Sequence, residues 1–185
     1  MSSPLAQVKG VSYLSYITPL KDDDAALWSY VRRELPEASR AFFDGPIFAN
    51  VWYPREHLGV LLRAFQEVTH HDESKLRALG ARSAVVQVTL VYRMFLKFVT
   101  PAMVFRRASS VWSRQCTVGE FSVLEEQHEL LVGELLDPDA PEGLPALMAG
   151  WSDEIIRLLG KKPIPTTYEQ LEPGRWRFRV AWTLV

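Results

Sequence analysis

Aspartates and histidines are the residue types of this sequence that most readily suggest a metal site. Asp22 to Asp24 could ligate a cation, but the further carboxylates and the glycine of a calcium loop are missing. His70 and His71 are adjacent, and neighbouring positions on a helix point about 100° apart, so the two rings are badly placed to share one ion. We therefore interpret the aspartates as a helix start and the histidines as a surface joint, and we expect no metal site.

Nucleophilic catalysis would require Ser, Cys or Thr in a strained turn beside a base. The sequence has no G-x-S-x-G motif, phosphate loop or dinucleotide-binding glycine pattern. His57 and His128 could each approach an acid, although single histidines more often pack or lie on the surface. Cys116 follows Arg114, which could activate a thiol, but a packed thiol is more common. We assign no catalytic residue and favour a protein that is not an enzyme.

A set of aromatic residues is the candidate ligand site. Tyr92, Phe95, Phe105 and Trp112 are predicted to lie on two consecutive helices that meet at Thr100-Pro101. Such residues can form ordinary core, or they can line a cavity for an apolar ligand. Because a break between the helices would let them diverge, we predict that these four residues border a ligand-binding cavity, and we predict no cofactor.

Composition sets the class of protein. The 185 residues suit a single domain, 1–185, with a sizeable core, and 48% of them are hydrophobic. A net charge of −1 gives no global attraction to nucleic acid or to anionic lipid. The single cysteine excludes an internal disulfide, and because residues 1–10 have no apolar segment we expect no signal peptide. We expect a cytoplasmic protein with no nucleic-acid partner and no membrane span.

A long apolar stretch, Leu79 to Val99, is the predicted centre of the fold. Its polar residues Arg82, Thr89, Arg93 and Lys97 fall in one narrow stripe at helical spacing, so the pattern predicts one helix, beginning near Ser74, that other elements cover on nearly every side. Charges at three depths favour a protein core over lipid.

The remaining helices are predicted from apolar spacing and from end signals. They run from a cap at Asp22 to Asp24 as far as Leu35, from Pro54 to Val68, from Pro101 to about Arg114, and from Leu144 to Leu158 with Gly160 beyond the end. In the third of these helices Arg106, Arg107 and Arg114 share a face. That face could bind an acidic partner, but a solvated surface is the default interpretation.

Strands are predicted where the apolar period changes to two. Val118–Glu125 and His128–Leu136 form one hairpin, and Ile164–Leu171 pairs with the final strand through a turn at Pro173-Gly174. In that final strand Trp176, Phe178, Val180 and Trp182 alternate with arginines, which predicts one core face and one solvated face. Residues 7–17 could also be a strand, and we leave this open.

The order helices, hairpin, helix, hairpin indicates an α+β fold, with helices layered against a four-stranded antiparallel sheet. No repeat or linker divides the chain.

Four segments in this order, Val51–Val68, Leu79–Cys116, Ala146–Gly160 and Arg175–Trp182, resemble a paralogous family of uncharacterised proteins (a domain of unknown function) abundant in myxobacteria. That family is in turn similar to the fold shared by 4-vinyl reductase domains, haem-based nitric-oxide-binding domains and TRAPP-complex subunits. The resemblance implies a ligand-binding or adaptor fold with an apolar pocket between helices and sheet, and no established reaction.

Two departures from these relatives matter. Many of them carry cysteines in the last hairpin, whereas this chain has none between Tyr168 and Trp176. The haem-binding relatives use a Tyr-x-Ser-x-Arg clamp and a proximal histidine, and no such motif occurs here, so we do not expect haem.

Two functions from different classes remain. The first is a non-catalytic ligand-binding or protein-interaction module of bacterial signalling, which binds a small apolar ligand or a partner protein and forms a homodimer. The alternative is an enzyme, or its small subunit, acting on a hydrophobic or tetrapyrrole-like substrate.

Overall fold

The computed structural model describes residues 6–88 and 99–183. These residues form seven helices: α1 (Gly10–Asp23), α2 (Ala25–Glu34), α3 (Glu37–Asp44), α4 (Glu56–Val68), α5 (Glu73–Gln87), α6 (Pro101–Gln115) and α7 (Leu144–Leu158). They also form six strands: β1 (Gln7–Lys9), β2 (Trp52–Pro54), β3 (Glu120–Gln127), β4 (Leu130–Leu136), β5 (Lys162–Glu172) and β6 (Arg175–Thr183). Among these helices, none combines the length and the apolar character that crossing a bilayer would need.

The predicted four-stranded antiparallel sheet is confirmed, with strand order β3-β4-β6-β5. Its first hairpin turns at His128 and Glu129, two residues later than predicted. Its second turns at Pro173-Gly174 as predicted, and Gly174 has φ +77°, a backbone conformation that favours glycine. The pairing of β1 with β2 in a separate small sheet was not predicted.

Helices cover one face of the sheet, which confirms the α+β architecture. Phe121, Leu135 and Phe178 of the sheet share a core cluster with helix residues such as Leu61 and Leu147. A second cluster joins sheet residues to α6 and α7; its buried members are Ala84, Phe105, Leu131, Ile155, Ile156, Leu159, Val180 and Trp182.

Strand β6 has the two faces that its alternation predicts. Phe178, Val180 and Trp182 are buried, whereas Arg179 is exposed on the opposite face. On that outer face Arg175 Nε donates to Glu134 Oε1 at 2.8 Å, so the arginines are held by a neighbouring strand.

Helix ends follow the predicted signals where the signal is local. The Leu27 amide donates to Asp24 Oδ1 at 3.0 Å at the start of α2, and the Met103 amide donates to Thr100 Oγ1 at 3.3 Å at the start of α6. Gly160, just after α7, has φ +73°. Each signal is a short polar residue or a glycine close to the first or last residue of its helix. The sequence therefore reveals it without knowledge of the tertiary structure.

Residues 7–17 are a strand only as far as Lys9, because α1 begins at Gly10. Tyr13, Tyr16 and Ile17 lie at helical spacing and are buried, so burial of one helix face outweighs their preference for strands. One prediction at an element end was wrong, because Pro54 pairs with Gln7 in β2 and α4 begins at Glu56. The short helix α3 was not predicted.

The predicted central helix is shorter than expected. Helix α5 ends at Gln87, and Val88 leaves the helical conformation with φ −87° and ψ 85°. The prediction of one uninterrupted helix to Val99 is therefore wrong. Residues 89–98 lie outside the described residues. The run Val85, Val86, Val88, Thr89 is β-branched, and such residues propagate a helix less well than straight side chains.

Helix α5 crosses α7 with its backbone in direct contact. A Cβ on Gly80 would overlap the carbonyl oxygen of Leu147, and a Cβ on Gly150 would overlap that of Arg77. Beyond this crossing, Gln87 accepts from Trp151 Nε1 and donates to Ser15 Oγ, both at 3.1 Å. These contacts fix α5 between α7 and α1.

Candidate functional site

An open groove lies between α1, α2, α4 and α5, and we call it the helical groove. Its volume is about 530 Å³, within the range of small-molecule sites. Its apolar lining is Leu20, Leu27, Phe65, Val68, Ala78 and Leu79, and its polar lining is Asp24, Thr69, His70, Asp72, Lys75 and Arg82. The groove therefore combines an apolar floor with a charged rim.

The floor is formed by one side chain from each of several helices. Leu20 of α1, Phe65 of α4 and Leu79 of α5 are almost fully buried and close its bottom. Leu27 and Val68 are half-buried, so part of their apolar surface faces the open side. Ala78 is exposed, and its short side chain leaves the groove open along α5.

The acidic side chains of the rim are already engaged as helix caps. Asp24 Oδ1 accepts from the Leu27 amide at 3.0 Å and Asp72 Oδ1 accepts from the Ser74 amide at 2.9 Å. The Ser74 hydroxyl and amide hold the pKa of Asp72 below its usual value, and Lys75 adds to this effect. The interpretation of Asp22 to Asp24 as a helix start is thus confirmed, with Asp24 as the capping residue.

The basic side chains of the rim lie on α5. Lys75 and Arg82 are seven residues apart, so they project from the same face of the helix. Among the described residues neither side chain makes a hydrogen bond, and neither has an ion-pair partner within 4 Å, unlike Arg77 on the same helix, which pairs with Glu73. These two cations are the part of the rim that remains available to a ligand.

The joint between α4 and α5 has an unusual backbone at the edge of the groove. His70 and His71 both have positive φ, +53° and +57°, which L residues rarely adopt. Their amides donate to the carbonyls of Glu67 and Gln66, which stabilises this conformation. His70 lines the groove, whereas His71 points away and lies 3.6 Å from Glu67. The predicted polar joint is confirmed.

Of the predicted aromatic site, Phe105 and Trp112 lie on α6, two turns apart, while Tyr92 and Phe95 lie outside the described residues. Phe105 is buried and meets Trp151 edge to face at a centroid distance of 6.2 Å. Trp112 is half-buried, and its Nε1 donates to the Val118 carbonyl at 3.1 Å. The two side chains contact different core clusters, and a cavity bordered by all four residues stays a prediction.

The other histidines and the cysteine lie in packed or exposed positions. The ring of His57 stacks on Phe42 at 4.3 Å, its Nδ1 is 3.0 Å from Ser39 Oγ, and burial lowers the pKa of His57. His128 is exposed in the β3–β4 turn. Burial raises the pKa of the Cys116 thiol to about 11, although the positive charge of Arg55 acts in the other direction. Cys116 is therefore a packed thiol and not an activated one.

The arginine face of α6 is exposed, as predicted. Arg106 makes a two-point ion pair with Glu126 at 2.8 and 2.9 Å, and Arg107 and Arg114 are exposed. In the described part of the chain, no three His, Cys, Asp or Glu side chains are grouped closely enough to hold a metal ion.

Sequence reasoning missed the helical groove and a buried ion pair. Four helices contribute to the groove, and only the α5 face (Lys75, Ala78, Leu79 and Arg82, at i, i+3, i+4 and i+7) carries a signal in the sequence. The ion pair joins Arg55 to Asp137 through two hydrogen bonds, of which Nη1–Oδ1 measures 2.9 Å. Its partners are 82 residues apart, so no local pattern indicates it.

No protein-family model and no curated protein matches the chain, but solved structures do. An Fe(II) unliganded H-NOX protein from K. algicida gives a TM-score of 0.70 at 11% identity, over 96% of this chain and 97% of that one. An oxygen-binding H-NOX domain related to soluble guanylate cyclases gives 0.66 at 11%, over 94% of each chain. An H-NOX protein from S. oneidensis gives 0.68 at 8%, over 95% and 96%.

The TM-scores show that the fold is similar to that of H-NOX domains, and at these low identities they show the fold alone. Among the folds that the resemblance suggested, the haem-based nitric-oxide-binding one is confirmed. The comparisons support neither membership of the myxobacterial family nor a specific likeness to 4-vinyl reductase or TRAPP subunits.

The H-NOX family contains haem. The residues of this chain do not fit a haem that is ligated by histidine. All four histidines are among the described residues. His57 is stacked on Phe42, His71 and His128 are exposed, and His70 lies on the rim of an open groove. Each histidine is therefore packed against another side chain, exposed, or at the edge of an open groove.

Proposed function

We propose that this chain is a non-catalytic module of bacterial signalling that binds a small apolar ligand, or a partner protein, in the helical groove. The observation that supports this most directly is the groove itself, about 530 Å³ with an apolar floor and a charged rim. Small-molecule sites commonly combine an apolar lining with a few polar groups that orient the ligand. The H-NOX-like fold supports a sensory role by analogy.

The rim supports the same assignment through its backbone. Positive φ angles at two consecutive non-glycine residues cost free energy, and such strain often lies at functional sites. Here the strained residues are His70, which lines the groove, and His71 beside it.

A second position for the ligand is the aromatic set Tyr92, Phe95, Phe105 and Trp112. What supports it is the partial exposure of Trp112 on α6, two turns from Phe105. The two positions make different predictions, because neither Phe105 nor Trp112 lines the helical groove.

Titration of the intact protein with the neutral dye Nile red tests the proposal. We expect saturable binding with one dye per chain. Ala78→Phe should weaken this binding at least tenfold, because a large side chain at the exposed Ala78 would fill the groove without entering the core. Ala38→Phe, at an exposed site on α3 away from the groove, is the matched control.

The outcome distinguishes the candidates. If Ala78→Phe leaves dye affinity unchanged while Trp112→Ala lowers it in a protein that remains folded, the ligand binds at the aromatic set. If the native protein binds no dye, the small-ligand function is wrong and the partner-protein function remains.

A second candidate function is an enzyme, or its small subunit, acting on a tetrapyrrole-like substrate, and the likeness to haem-related H-NOX structures favours it. Titration with haemin tests it. We expect no saturable binding of haemin with a defined stoichiometry. A one-to-one complex, with or without the Soret band of a histidine-ligated haem, would favour the tetrapyrrole function over our proposal.

A further inference from the structure

The charges of the helical groove are unequally engaged. Both carboxylates of the rim, Asp24 and Asp72, accept hydrogen bonds from backbone amides at helix starts. The two cations, Lys75 and Arg82, have no such partner among the described residues. A ligand that enters the groove therefore meets carboxylates that already accept hydrogen bonds and cationic donors that make none within the described structure.

Of the two cations, Arg82 is the better site for an acidic group. Lys75 lies close enough to Asp72 to contribute to the lowered pKa of that carboxyl, so its charge is partly compensated. Arg82 lies two turns further along α5 and is exposed. A guanidinium presents a planar pair of N–H donors that matches a carboxylate.

The apolar part of the groove begins beside Arg82. Ala78 and Leu79 precede it on the same face of α5, and Leu27 and Val68 offer partly exposed apolar surface on the facing helices. An extended hydrocarbon chain placed along these residues would bury apolar surface while its head stays at the rim.

We propose that the helical groove binds an amphiphile with a carboxylate head and an apolar tail, in which the head contacts Arg82 and the tail covers Leu27, Val68 and Ala78. This inference rests on the proposed function, since it names the ligand class for the same groove. It goes further because it excludes neutral and cationic amphiphiles as preferred ligands.

Displacement of Nile red from the full chain by three ten-carbon probes tests the inference: decanoate, decan-1-ol and decylammonium, each below its aggregation concentration. We expect decanoate to bind at least tenfold more tightly than decan-1-ol, and decylammonium to bind most weakly. Arg82→Gln should remove the preference for decanoate without changing the affinity for decan-1-ol. Arg82→Lys should retain part of it, because the charge remains.

Arg63→Gln is the matched control, because Arg63 is an exposed arginine on α4 that does not line the groove. It should leave all three affinities unchanged. Equal affinities for decanoate and decan-1-ol, both weakened by Ala78→Phe, would overturn the acidic ligand class but leave the groove as a ligand site. A preference for decanoate that survives Arg82→Gln would also overturn it. Failure of every probe and of the dye would overturn the small-ligand function itself and leave only the partner-protein function.

Discussion

At the scale of single residues, Asp137 carries a negative charge with no solvent exposure, and its partner Arg55 is only 5% exposed. Asp137→Ala should lower the free energy of unfolding by about 3–5 kcal/mol, because it leaves the guanidinium buried without its counter-charge. Urea denaturation measures this loss.

The control for this prediction is Asp139→Ala, an exposed aspartate two residues further along. It should change stability by less than about 0.5 kcal/mol. The double variant Arg55→Met, Asp137→Leu should be more stable than Asp137→Ala, because it removes both charges. A cost below about 1 kcal/mol for Asp137→Ala would show that the pair is not buried as described.

Cys116 gives a second test at this scale. Because burial raises the pKa of its thiol to about 11, only a very small fraction is thiolate at pH 8. We expect the native protein to react with Ellman's reagent at least about 100-fold more slowly than the urea-unfolded chain, which should release one equivalent of chromophore. Comparable rates in the two states would contradict the buried position.

Residues that act locally could be predicted from the sequence, and residues that act over a distance could not. The caps at Asp22 to Asp24 and at Thr100 could be predicted because a capping side chain and the amide that donates to it are three residues apart. Arg55 and Asp137 are 82 residues apart, and each alone resembles an ordinary surface charge.

At the scale of elements, the crossing of α5 with α7 depends on glycine. Gly80→Ala should lower the free energy of unfolding by at least about 2 kcal/mol, because the added methyl group meets the backbone of Leu147, which cannot move aside like a side chain. Thermal unfolding followed by circular dichroism measures the change.

Gly59 in α4 is the matched control for this substitution. A Cβ there would find its nearest neighbour, Pro141 Cβ, at 3.9 Å, an ordinary contact. Gly59→Ala should be neutral or should stabilise the protein by up to about 1 kcal/mol through helix propensity. Equal losses of stability in both variants would argue against a close crossing.

Predictions of elements succeeded where apolar spacing and end signals agreed, as in α2, α6, α7 and β6. They were open or wrong where tertiary contacts decide the conformation. The β-branched and aromatic residues of α1 leave strand and helix both open until their burial is known. The end of α5 at Gln87 was hidden by apolar residues that continue beyond it.

At the scale of the whole molecule, we expect a homodimer. The motive is a pair of exposed apolar residues on α6, Met103 and Val111, which offer a surface for self-association. Size-exclusion chromatography with light scattering should give about twice the monomer mass of 21.1 kDa. A monomer mass at micromolar concentration would contradict this expectation, and Met103→Glu should produce that result if α6 forms the interface.

The fold class of the whole molecule could be predicted, but the position of its groove could not. The order of helices and hairpins narrows the architecture to few possibilities. The helical groove depends on the packing angles of four helices, and its lining residues come from Leu20 to Arg82 without a common motif.

The close crossing of α5 and α7, at which Gly80 and Gly150 each lie against the backbone of the other helix, also limits how early the protein can fold during its synthesis. The two residues are 70 positions apart, so at 5–20 residues per second roughly 4 to 14 s pass between their synthesis. During that interval α5 has been synthesised but α7 has not. The face of α5 around Gly80 is then exposed to solvent or bound by a chaperone. The amino-terminal half therefore cannot complete its packing until α7 has been synthesised. Conditions that slow translation between residues 80 and 150 should increase aggregation of the nascent chain.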